Sequence, residues 1–206
     1  MRHDYRPLLT PTPIKTLRPT QMTVGRREVE EKRRQWRARC LEEGPDFLGR
    51  HMIPVVLGPK GRPWLVDHHH LALALHEEGQ EHVLTSVLAD LSHLAAGEFL
   101  TLMDNRSWLH PFDAEGVRRD YAKLPRRIED LRDDPYRSLA GAVLAAGGYA
   151  KSPAPFAEFL WADFFRRRID AKRLEKDWED AVLKAVHLAR KHKAAHLPGW
   201  AGPHLG

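Results

Sequence analysis

Hydrophobic positions in the first half of the chain switch between the repeat of a helix and the short apolar runs of strands. Val29, Trp36 and Cys40 recur at roughly helical spacing in a charged stretch, and Gly44 is a natural stop for that helix. A short apolar run follows and returns through a Gly- and Pro-rich turn, as in a β-hairpin. The predicted elements are a helix over Arg26–Glu43, strands over Ile53–Leu57 and Trp64–Val66, a helix over His70–Glu78, a strand over Val83–Leu91 and a helix over Ala95–Asp104.

The pattern changes to helices alone in the second half. Residues 109–132 are charged and loop-like, and then Asp134 with Pro135 gives an Asp cap followed by Pro at the first helical position. This helix is expected to end at Gly147. Further apolar stripes predict a helix that starts at Pro155 and a last one over about Asp170 to Lys191.

This succession predicts an α+β protein. We expect a small mixed sheet with helices over residues 15–108 and a helical half over residues 109–200 that packs on it. No low-complexity linker separates the two, and the Pro- and Thr-rich residues 1–17 are expected to be extended.

Composition narrows the class of protein. Among 206 residues, 42% are hydrophobic and 30% charged, as in soluble domains, and no stretch approaches the roughly 18 apolar residues of a membrane span. The N-terminus lacks the apolar core of a secretory signal, and the single cysteine excludes an internal disulfide framework, so we expect a cytoplasmic protein. The net charge of +5 permits an anionic ligand or DNA without requiring either.

The sharpest local feature is the junction Asp67–His70, where a strand leads directly into a helix. The first backbone N–H groups of a helix have no partner within it and attract phosphate, and histidines add donors. A capped helix with surface histidines is the alternative interpretation, with Asp67 as the cap. Three consecutive histidines point in three directions, which makes a zinc site from these residues alone geometrically poor.

Several segments, in their order and spacing, resemble the ParB-like nuclease family within the superfamily of ParB N-terminal domains and sulfiredoxins. The resemblance covers roughly residues 15–170 and is carried by Pro19–Gln21, Gly25, Ile53–Val56, Val66–Leu71, Ala72, Ala74, Asp133–Ala140, Gly147–Lys151 and Phe156–Asp163.

The resemblance implies that the turn cradles the phosphates of a nucleotide. Asp67, His69 and His70 match the superfamily motif, whereas His68 stands in place of a glycine and Leu71 in place of an arginine. Another cation must then complete the phosphate site; the candidates are Lys60, Arg62, Arg26 and Arg27.

The resemblance also bears on the reaction. Sulfiredoxins carry a catalytic cysteine within this turn and none occurs here, which argues against reductase chemistry. Related serine kinases place a glutamate base near the position of Gln21, so Glu28 or Glu30 would have to replace it. Chromosome-partitioning relatives bind CTP and continue into a helix-turn-helix, which the helical half does not display.

The second half contributes candidates of its own. Lys151 follows two glycines, where backbone can approach an anion closely. Glu158 lies among aromatic residues and needs a partner such as Lys151 or Arg137. Asp163 with Arg167 predicts an ion pair one helical turn apart. A purely structural network is the alternative interpretation of these charges.

Three functions remain open. The first is a phosphoryl transferase or phosphodiesterase with His69, His70 and Glu158 as catalytic residues. The second is a nucleotide-dependent switch that binds DNA or another partner without chemistry, and the third is an α+β domain with neither activity. Expected ligands are ATP, ADP or CTP with Mg²⁺, no metal site of the protein's own and no membrane. The expected phosphate-binding residues are Gln21, Arg26, Asp67, His68, His69, His70 and Lys151.

Overall fold

The sheet is built around the apolar run that begins at Ile53. In the computed structural model the structure describes residues 10–43 and 52–203. The strands are β1 (Thr10–Pro13), β2 (Arg18–Pro19), β3 (Thr23–Val24), β4 (Ile53–Gly58), β5 (Arg62–Leu65), β6 (His82–Asp90) and β7 (Arg132–Asp133). Five of them form a curled mixed sheet in the order β1-β6-β4-β5-β2. The predicted hairpin is confirmed, because β4 and β5 pair antiparallel, while β4 and β6 pair parallel.

Helices pack against both faces of this sheet and form the second half of the chain. They are α1 (Arg26–Glu43), α2 (His69–Glu77), α3 (Ala96–Asn105), α4 (Pro135–Ala145), α5 (Ala157–Arg166), α6 (Ala171–Lys176) and α7 (Trp178–Ala189). The predicted α+β class is therefore confirmed, as are the helix over Arg26–Glu43 and the cap of α4, where Asp134 accepts from the N–H of Tyr136.

Two helix predictions are wrong in detail. The single helix expected over 170–191 is two helices, because Asp177 leaves helical geometry and its side chain accepts the N–H of Asp180 to start α7. The helix expected from Pro155 begins at Ala157, since Phe156 adopts a left-handed conformation with φ of 56°. The predicted extended residues are strand only at Thr10–Pro13; residues 1–9 lie outside the described part of the chain.

The buried apolar side chains of the described residues form three clusters. The first joins the sheet to α1 and α2 through residues such as Val29, Ile53 and Leu75, and Cys40 packs at its margin. The second, around Phe99, lies under α3, and the third fills the helical half around Trp161. The division expected after residue 108 stays a prediction, although Ile128 and Leu131 still belong to the first cluster.

A short parallel pair of strands joins the two halves. β3 pairs with β7, in the register Thr23 with Arg132 and Val24 with Asp133, so α1 and α4 start side by side. Gly25 makes this approach possible, since a Cβ there would lie 2.8 Å from the backbone nitrogen of Ser138. The first turns of α1 and α4 therefore face each other. Within the described residues, no helix is long and apolar enough to cross a bilayer.

Candidate active site at the junction of three helices

The Asp67–His70 turn begins α2 with an unusual backbone conformation. His68 is the residue before the helix and has φ of 65° and ψ of 28°, in the left-handed region that favours glycine. Asp67 does not cap α2 as expected. Its carboxylate accepts the N–H of His68 at 2.6 Å, and α2 has no side-chain cap. The left-handed turn directs the following histidines into the protein.

His69 is part of the core. Its Nε2 accepts the N–H of Thr20 at 3.2 Å, and the Thr20 hydroxyl donates to the carbonyl of Leu65 at 2.6 Å. Burial lowers the pKa of His69 to about 3, with smaller contributions from His68 and His110, so the ring is neutral at physiological pH. With its Nε2 occupied, His69 ties α2 to the end of β2.

His70 points towards α1. Its Nε2 accepts the N–H of Gly25 at 2.8 Å and lies 3.5 Å from Oε2 of Glu28. Burial lowers the pKa of His70 well below its ordinary value, and the positive charge of Arg137 acts in the same direction. A neutral ring whose Nε2 accepts a hydrogen bond carries its proton on Nδ1.

Glu28 connects this turn to the helical half. Arg137 from α4 donates through Nη1 to Oε1 of Glu28, while Oε2 faces His70. Burial raises the pKa of Glu28 and outweighs the opposite effect of Arg137, and the negative charge of Glu158 raises it further. Of the two glutamates considered as replacements for a base at Gln21, Glu28 lies at this site. Glu30 forms ion pairs with Arg26 and Arg33 elsewhere.

A cavity of about 210 Å³ opens between α1 and the turn. It is lined by Glu28, Lys32, Gln35, Trp36, Arg39, Asp67, His68, His70 and Leu71. Lys32 and Arg39 supply the positive charge that the turn itself lacks. Neither residue was predicted as a ligand from the sequence, although the spacing of Glu28, Lys32, Gln35 and Arg39 places four polar side chains on one face of the predicted helix.

The cations that were expected here lie elsewhere. Arg26 forms an ion pair with Glu77, and Arg27 lies over the ring of Trp178 at 3.9 Å. Lys60 lies in the β4–β5 turn and Arg62 starts β5, and neither residue lines the cavity.

The other expected phosphate ligands outside the turn also do not line the cavity. Gln21 is buried and donates from Nε2 to the carbonyl of Thr23 at 2.9 Å. Lys151 is exposed after the end of α4.

Glu158 approaches the site without the partner expected for it. Arg137, one of its two expected partners, binds Glu28 instead, and Glu158 forms no ion pair with any described residue. Asp163 does pair with Arg167, as predicted, at 2.9 Å. No group of three metal-binding side chains occurs among the described residues. The structure therefore brings together Glu28, His70 and Arg137, with Glu158 near them.

Comparisons with known proteins show the family to which this chain belongs. Residues 10–167 match the family model described as "Putative ParB-like nuclease". The crystal structure of protein Atu1540 from Agrobacterium tumefaciens has 54% identity to the chain and a TM-score of 0.88, covering 95% of this chain and 99% of that one. No functionally curated protein matches the chain.

The left-handed conformation of His68 gives a first prediction. Because a side chain in this region costs about 1 kcal/mol that glycine avoids, His68→Gly is expected to keep or raise the free energy of unfolding. His68→Val is expected to lower it by about 1–2 kcal/mol, since β-branched residues tolerate this region least. Urea unfolding of the three proteins measures both effects. A stabilising valine together with a destabilising glycine would contradict the assigned conformation.

The buried His69 gives a second prediction. Its folded pKa lies below its unfolded pKa, so only the unfolded chain takes up a proton as the pH falls below about 6.5. Stability is thus complete above that pH and decreases by about 1.4 kcal/mol per unit below it, down to the folded pKa. His69→Gln is expected to flatten this dependence. Urea unfolding at pH 7 and pH 5 measures it, and an equal loss in both proteins would contradict a neutral buried His69.

Proposed function

Because this chain belongs to the family described as "Putative ParB-like nuclease", we propose that it binds phosphate groups of a nucleotide or nucleic acid between α1 and the Asp67–His70 turn. The single observation that supports this most is the cavity with Lys32 and Arg39 on one wall and the start of α2 on the other. Ammonium and guanidinium groups bind phosphate oxygens strongly, and the first N–H groups of a helix favour the same charge.

The size of the cavity indicates which part of a ligand it holds. About 210 Å³ is below the range of roughly 300–1,000 Å³ typical for whole small-molecule ligands. The phosphates of a nucleotide or one phosphodiester of a nucleic acid would fit, with base and sugar outside. Asp67 and Glu28 are the only carboxylates among the described residues that line it, so a Mg²⁺ ion brought by ATP, ADP or CTP would keep mainly phosphate and water oxygens.

For the reaction we propose phosphodiester or phosphoanhydride hydrolysis with Glu28 as the general base. Water would form the new O–P bond and pass its proton to Glu28, while the bond to the leaving oxygen breaks. A carboxylate whose pKa is raised by burial is a better proton acceptor near neutral pH than an ordinary one. Arg137 would position it through its hydrogen bond to Oε1, and Glu158 would act through its charge on Glu28.

A non-catalytic switch is the second candidate, and the contact of Glu28 with Arg137 supports it. The same glutamate lines the cavity and holds the helical half, so a phosphate that displaces or repels it would change how α4 packs on α1. Binding without turnover would favour this function.

A third prediction tests binding. ATP, ADP, CTP, GTP and a short single-stranded DNA, each with Mg²⁺, are compared by thermal melting. A ligand that binds only the folded state stabilises it by about 2.7 kcal/mol at 100 times its dissociation constant. The shift is expected to disappear in Lys32→Ala/Arg39→Ala and to persist in Arg34→Ala, which changes an exposed arginine of the same helix. Equal shifts in the two variants would contradict the proposed site.

The same ligands separate catalysis from binding. Glu28→Gln keeps the hydrogen bond from Arg137 but cannot accept a proton, so we expect binding to persist and product formation to fall by about 100-fold or more. Glu30→Gln, on the same helix outside the cavity, is the matched control. Unchanged turnover in Glu28→Gln would remove Glu28 as the base, and binding without product in the wild-type protein would support the switch.

A further inference from the structure

On the face of the sheet that packs against α1 and α2, no helix of the described residues covers one part. Side chains at Ile53 and Leu65 pack in the cluster under α2. The same face continues along β4, β5 and β6 to Leu57, Pro63 and Val87, where it forms the floor of a groove of about 770 Å³. Val87 is 52% exposed there. An exposed valine on the apolar floor of a groove is typical of a ligand or partner site.

Four cations surround this floor. Lys15, Arg18, Arg62 and Arg126 line the groove, and no described carboxylate does. Among the described residues, none of the four forms an ion pair, in contrast to the paired arginines of α1. Partial burial lowers the pKa of Arg18, and the charges of Arg62 and Arg126 lower it further. The three guanidinium groups are therefore close enough to repel one another. Such a cluster is stabilised by an anion.

Arg18 is already oriented for this role. Its Nη1 donates to the backbone carbonyl of Arg126 at 3.3 Å, and its guanidinium lies 5.8 Å from the centroid of the Trp64 ring. These contacts involve no acidic group and leave the positive charge uncompensated. The groove therefore combines an aliphatic floor with preorganised cations at its rim.

The two features together select one class of ligand. A second copy of the same groove is disfavoured, because a two-fold contact would place cations against cations. A single-stranded nucleic acid needs aromatic platforms for its bases, and the described residues that line this groove include none. We propose that the sheet groove binds an amphipathic organic anion, with its apolar body on Leu57, Pro63 and Val87 and its carboxylate or phosphate among Arg18, Arg62 and Arg126.

Calorimetric titration with octanoate tests this inference on the full chain. Octanol lacks the anion and inorganic phosphate lacks the apolar body, so both are expected to bind at least about tenfold more weakly, the effect of one lost charge-assisted contact. Arg62→Gln/Arg126→Gln and Val87→Asp are expected to weaken octanoate binding by a similar factor. Arg127→Gln, which changes a neighbouring arginine that pairs with Asp130 outside the groove, should leave it unchanged.

The octanoate experiment can be interpreted independently of the test of the phosphate site. Octanoate binding should be unaffected in Lys32→Ala/Arg39→Ala, so either site can fail alone. Equal affinity for octanol and octanoate, or no effect of Arg62→Gln/Arg126→Gln, would overturn the proposal. A single-stranded oligonucleotide that displaces octanoate and loses affinity in the same variant would also overturn it, by assigning the groove to nucleic acid.

Discussion

The pair of Glu28 and Arg137 is the interaction on which the candidate site depends. Arg137 is buried at the start of α4, and its Nη1 donates to a carboxylate that burial would otherwise strongly disfavour. Removing one member of a buried pair leaves an uncompensated charge, which is much more costly than the loss of a surface ion pair. The pair therefore holds α1 against α4 and fixes which way Glu28 faces.

Two glycines allow Glu28 and Arg137 to come into contact. Gly25 lets the start of α1 approach Ser138, and Gly141 leaves the space that Glu28 occupies on the next turn of α4. The N–H of Gly25 also donates to His70, so the same glycine positions the histidine beside the glutamate. After Glu28, the side chains of Lys32 and Arg39 on the same helix also line the cavity. One helix thus provides both the link between the halves and the proposed ligand contacts.

Patterns within one element could be predicted from the sequence, whereas partners across the chain could not. The span of α1, the β4–β5 hairpin and the Asp134 cap follow from local spacing and turn chemistry. The left-handed His68 was not predicted, because an Asp before a helix more often caps it. Yet His68 occupies the place of the superfamily glycine, which is the residue that adopts this conformation without strain.

Most of what could not be predicted from the sequence concerns which side chains contact each other across the chain. Arg137 lies 109 positions from Glu28, and Lys151 and Gln21 had the right chemistry but are placed elsewhere by the fold. Only the packing of α4 on α1 decides that Arg137 pairs with Glu28 rather than Glu158. The helical face of Lys32 and Arg39 was visible in the sequence, but nothing local indicated that it borders the Asp67–His70 turn.

The most direct measurement is a crystal structure of the protein grown with ADP and Mg²⁺. The predicted result places the phosphates between α1 and α2, within hydrogen-bonding distance of Lys32 or Arg39 and of the first N–H groups of α2, beside Glu28. Nucleotide bound elsewhere on the fold, with this cavity filled only by water, would contradict the phosphate site.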